Sequence, residues 1–105
     1  MDRVEKLKQF LAANPHDSFI KHALALEHIK AGDDLIAQTL FEEILSTNPA
    51  YVGSYYHLAK LLERTGKRQD AIAWYEKGMQ QAMKAGDRHA LNELRMAYDE
   101  LNDEY

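Results

Sequence analysis

Apolar residues recur along the chain at spacings of three and four, and the breakers between these runs divide it into six helical segments with no convincing strand. The first is predicted over about Asp2 to Ala13, with Val4, Leu7, Phe10 and Leu11 as one stripe. It stops before Asn14-Pro15 because the residue preceding proline avoids helical angles. The second spans about Asp17 to Ala31, with Asp17 as its cap and Gly32 as its stop. The third, about Asp34 to Thr47, carries Ile36, Ala37, Leu40, Phe41, Ile44 and Leu45 on one face and ends at Asn48-Pro49. The fourth, about Tyr51 to Thr65, uses Val52, Tyr55, Leu58, Ala59 and Leu62 and stops at Gly66. The fifth begins near Arg68 and extends to Lys84, with Ala71, Ile72, Tyr75, Met79 and Met83 expected to face inward. The sixth, about Asp87 to Asn102, presents Leu91, Leu94, Tyr98 and Leu101. Each connection is a few residues long, so successive helices are expected to be antiparallel neighbours.

The pattern also repeats after 34 residues: Asn14-Pro15 returns as Asn48-Pro49, Leu24-Ala25 as Leu58-Ala59, Gly32 as Gly66, Ala37 as Ala71, and Phe41-Glu42 as Tyr75-Glu76. A period of this size means stacked supersecondary units that complete their core against neighbours. The residues that recur resemble those of the tetratricopeptide repeat family, whose unit is two antiparallel helices with small residues where they cross. In the first unit Leu24, Ala25, Gly32, Ala37, Phe41 and Pro49 fill the family's landmark places, while Lys21 and His28 stand where bulky aromatics are usual. In the second, Tyr55, Leu58, Ala59, Gly66, Ala71 and Tyr75 match, Leu62 replaces a usual Tyr and Met83 replaces the closing Pro. Without that proline the fifth helix continues, which moves the sixth out of register by about two residues and puts Arg95 where a small crossing residue is usual. The resemblance implies an all-α fold: antiparallel helix-turn-helix repeats in a short right-handed superhelix, as one domain over 1–105. Its parts are a leading helix (1–13), two repeats (17–49 and 51–85) and a closing helix (87–103).

A chain of 105 residues with 46% apolar content suits one compact domain burying about 65% of its unfolded surface. Thirteen Lys and Arg against seventeen Asp and Glu leave a net charge of -4, which disfavours nucleic acid and anionic membrane as partners. No apolar run approaches the ~20 residues of a membrane span, and Met1-Asp2-Arg3 opens into a charged amphipathic segment, so a cytoplasmic location is expected. The absence of cysteine excludes disulfides, thiolate metal sites and a Cys nucleophile. Both ends carry the polarity that the ends of an array need: Arg3, Glu5, Lys6 and Lys8 at the start, and Arg95, Asp99, Glu100, Asp103 and Glu104 at the finish.

In the family the first helix of each unit lines a concave groove. Carried onto this chain, that row is Phe19, His22, Leu26 and Ile29, then Gly53, Tyr56, His57, Lys60, Glu63 and Arg64, with Asn92, Met96 and Asp99 extending it. An apolar floor of Phe19, Leu26 and Tyr56 beside His22, Lys60 and Asn92 suits a peptide or protein segment. The family's clamp for a chaperone's C-terminal carboxylate is not assembled, because its places hold His22, Leu26 and His57 and leave Lys60 as the strong nearby cation. His16, His22, His28, His57 and His89 include no pair at i, i+4 on one helix, so no metal or other cofactor is expected. Ser18, Ser46 and Ser54 lack a patterned base and orienter, and the glycines form no phosphate loop. The expected function is therefore non-enzymatic protein binding in the groove, as an adaptor or scaffold. The alternative is a structural homo-oligomer through the convex face, where Trp74 is expected to lie across its neighbours, or through the closing helix.

Overall fold

The computed structural model describes residues 2–103, so Glu104 of the polar finish lies outside the described residues. All its regular structure is helical, in two compact units, Met1–Asn48 and Pro49–Tyr105. The first unit holds α1 (Arg3–Ala13), α2 (Ser18–Lys30) and α3 (Asp34–Thr47); the second holds α4 (Gly53–Arg64), α5 (Arg68–Ala85) and α6 (Arg88–Asp103). No described helix is long and apolar enough to cross a membrane.

In the first unit α2 is the central element, packed on α1 and on α3. Asp17 caps it as expected, its carboxylate accepting from the Ile20 amide at 2.9 Å. Gly32 ends the turn at a φ of +83°, and Gly66 does the same after α4 at +82°, a backbone region that costs a residue with a Cβ. The Asn48 side-chain amide donates to Ser18 Oγ at 3.3 Å, tying the end of α3 to the start of α2 and setting the pair antiparallel. Ala25, Ala37, Phe41 and Ile44 are fully buried, so the helices cross where the small residues stand. Two places that depart from the usual aromatics are filled differently. The Lys21 stem is covered while its Nζ reaches Glu43 at 3.6 Å, and the His28 ring is buried with Nδ1 3.2 Å from Asp33.

In the second unit α5 packs on both α4 and α6. Leu58, Ala59, Ala71, Tyr75 and Ala82 are fully buried. The buried Tyr75 hydroxyl donates to the Glu63 carboxylate, and the Tyr55 hydroxyl donates to the Pro49 carbonyl at 2.7 Å. Gly78 lies so close to α4 that an added Cβ would stand 2.6 Å from Tyr55 Cβ. On the other side Arg68 donates to the Leu101 carbonyl at 3.5 Å.

Four expectations are corrected. Met83 is exposed, because the inward stripe of α5 runs Ala71, Tyr75, Gly78 and Ala82, and the next residue is turned about 100° away. Ile36 is exposed for the same reason beside buried Ala37. Phe10 is exposed because α1 has α2 as its neighbour and covers a narrow stripe centred on Leu7, with Val4 and Leu11 partly buried. The fourth helix begins at Gly53 instead of Tyr51, after a tight turn in which the Ser54 amide bonds the Tyr51 carbonyl at 3.2 Å.

Candidate functional site

Each unit carries a surface hollow between two of its helices, the first and the central one in the first unit and the first and the last in the second. In the first unit the hollow of about 350 Å³ lies between α1 and α2 and is lined by Phe19, His22, Ala23 and Leu26. The Phe19 ring is 71% exposed, since it projects from the first turn of α2. His22 lines the hollow and packs edge-to-face with buried Phe41, their ring centroids 5.6 Å apart. The charged rim was not anticipated from sequence. Arg3 and Lys30 both reach Glu27, at 3.7 and 3.1 Å, so two cations share one carboxylate beside the apolar floor. Helical spacing from Phe19 and Leu26 could have found Lys30, whereas Arg3 arrives from another element.

In the second unit a hollow of about 370 Å³ lies between α4 and α6. Tyr56 and Lys60 line it from α4, and Asn92, Glu93, Met96 and Glu100 line it from α6. Of the expected residues, Tyr56, Lys60 and Asn92 are thus brought together. His57 stands beside the hollow, half-buried, its ring edge-on to Tyr56 at 5.7 Å. Burial lowers the His57 pKa below the ordinary imidazole value, and the nearby Glu93 charge opposes that shift. Glu63 is turned to the buried Tyr75 hydroxyl, and Lys60 Nζ stands 3.7 Å from its carboxylate and 5.9 Å from the Tyr56 ring centre. His89, Glu93 and Glu100 were missed as lining residues. The signal was there in the spacing, because each lies three, four or seven residues from Met96 on the same face of α6.

The remaining candidates fall elsewhere. Trp74 lies across its neighbours as expected, its ring centre 6.0 Å from that of Tyr55 and the Lys77 ammonium 4.5 Å above it. Leu94, Ala97 and Leu101 of α6 are buried, with Leu91 and Tyr98 partly so, and Arg95 is exposed. The small buried residue of α6 is therefore Ala97. Among the described residues, no three His, Asp or Glu side chains are placed to hold a metal ion.

No family model matches the chain, and no curated protein is significantly similar to it. Solved structures are. The chain is similar to the crystal structure of a tetratricopeptide repeat domain protein from Salinibacter ruber, at 42% identity and a TM-score of 0.80, over 83% of this chain and 97% of that one. A solution structure of a tetratricopeptide repeat domain protein from the same organism matches at 44% identity and a TM-score of 0.80, over 83% and 88%. A protein from Bordetella parapertussis shares the fold at 23% identity and a TM-score of 0.84, over 99% and 90%.

Proposed function

Since the chain belongs to the tetratricopeptide repeat family, a family of protein-interaction modules that are generally non-enzymatic, we propose that it binds a peptide or protein segment as an adaptor or scaffold. The observation that carries this reading is the pair of hollows, one in each unit, that join an exposed apolar side chain to a charged rim. Phe19 with Leu26, and Met96 with Tyr56, supply apolar anchoring area, while Lys60, Asn92 and His22 supply direction. The mechanism is preorganisation: Tyr75 holds Glu63, Glu63 faces Lys60, and Phe41 braces His22, so these groups lose little freedom when a segment arrives. Fold alone does not choose the partner, because one scaffold serves many.

The alternative, a homo-oligomer through Trp74 or α6, draws little from these residues. Trp74 is engaged by Tyr55 and Lys77, and the apolar stripe of α6 is largely covered within its own unit. The test is capture from the native lysate by wild type beside a folded Tyr56→Ala/Met96→Ala variant, which removes the apolar seat of the second hollow and leaves its charges unchanged, scored by mass spectrometry. A protein kept by wild type and lost by the variant supports the reading. Equal retention moves the working surface elsewhere, and retention of nothing but the chain itself replaces the reading with self-assembly.

A further inference from the structure

We propose that the hollow between α4 and α6 takes an extended partner segment of the form basic-x-apolar-x-basic, with the apolar side chain seated on Met96 and Tyr56 and the basic ones at Glu93 and Glu100. This rests on the peptide-binding reading and adds the chemistry of the ligand.

Glu93 and Glu100 are seven residues apart on one face of α6, two helical turns or about 10.5 Å along the axis. Both are exposed, and neither has an ion-pair partner among the described residues. Met96 stands between them on that face, 65% exposed, and Tyr56 faces it from α4. The wall is thus two unneutralised carboxylates flanking a large, soft apolar surface. Lys60, the cation across the hollow, does not neutralise them, since its ammonium lies 3.7 Å from Glu63 on its own helix.

The spacing selects the ligand's geometry. In an extended chain alternate residues share a face, so positions i, i+2 and i+4 point the same way and span about 13 Å at ~3.3 Å per residue. Lys and Arg stems are long enough to absorb the ~3 Å difference from the carboxylate spacing while their methylenes lie along Met96. A thioether adapts to aromatic or aliphatic side chains alike, so the central position is selected for size more than for shape. The net charge of -4 adds a long-range attraction for such a segment that salt weakens. An acidic segment meets the opposite field at this wall.

Wild type and Glu93→Gln/Glu100→Gln are each exposed to an immobilised library of short random peptides, and the strongest wild-type ligand is measured by calorimetry at low and raised salt. Both substitutions are nearly isosteric at exposed positions, and a circular dichroism melt checks that the variant folds. The expected result is enrichment of Lys or Arg two positions to either side of a large apolar residue, with roughly tenfold weaker binding by the variant and by raised salt. Met96→Ala is expected to weaken the same ligand. Enrichment of acidic or uncharged peptides, or equal affinity of the variant, overturns the proposal and leaves peptide binding standing. No peptide held above background overturns both. A dimer in sedimentation that the same variant dissociates, with no peptide bound, puts a second copy in the hollow and overturns the segment.

Discussion

Gly78 and Tyr55 meet where α5 crosses α4, and the contact shows how one absent methyl group sets a helix spacing. A Cβ on Gly78 would stand 2.6 Å from Tyr55 Cβ, 2.9 Å from its Cγ and 3.1 Å from Leu94 Cδ1, all in packed surroundings. Gly78→Ala gains ~1 kcal/mol of helix propensity and loses about 1–3 kcal/mol to overpacking, so a net loss is expected in urea unfolding. A variant as stable as wild type would sink this account. Tyr75 gives a second case. Burial first, then the Glu63 hydrogen bond and charge, raise its pKa above the ordinary 10.0, and burial raises that of Tyr55. Above pH 10 the unfolded chain releases these protons first and so binds fewer than the native state, which means stability falls as pH rises. Tyr75→Phe should cost about 1 kcal/mol at neutral pH by removing the buried hydroxyl's hydrogen bond to Glu63, and should flatten the alkaline loss in melts run across that range. The alanine crossings were legible in sequence because they recur with the period. Gly78 was not, since a single glycine inside a helix reads as a weakness until its neighbour is seen.

Helix ends separate into those held by local chemistry and those held by packing. Asp2, Asp17 and Asp87 accept from the amides of Glu5, Ile20 and Ala90, at 2.8, 2.9 and 3.0 Å, in the spacing that sequence alone suggests for a cap. Asp33 occupies the same kind of place before α3 and makes no such bond, because its carboxylate is directed to His28. We expect Asp17→Ala to destabilise by about 1 kcal/mol in thermal unfolding, with the loss rescued by Asp17→Asn or Asp17→Ser. Failure of that rescue would mean the carboxylate acts through its charge instead. The register of α6 is a related case. The missing proline correctly announced that α5 runs on, to Ala85, but the buried small residue that results is Ala97, a choice that depends on which face of α6 meets α5.

The two units are unequal in how much they bury. α1 contributes Leu7 as its buried residue, whereas α4 contributes six, from Ser54 to Leu62. Local opening is easiest where few apolar contacts must break, so hydrogen exchange should be fastest in α1 and slowest in α4 and α5. Equal protection of α1 and α5 would show that more holds α1 than its own unit provides. The number of helices, their order and their stops follow from signals within a few residues of each position, or from their return after 34, and those signals survive in the bare sequence. Neighbouring apolar pairs were settled otherwise. Ile36 and Ala37, or Ala82 and Met83, are equally acceptable to an isolated helix, and only the helix packed alongside chooses which one is covered. The rims of the hollows have the same origin: Arg3 meets Glu27 from a different helix, and Glu93 and Glu100 gain their setting from Tyr56 across the gap. Periodicity is a property of one segment, whereas a site is a property of side chains from two.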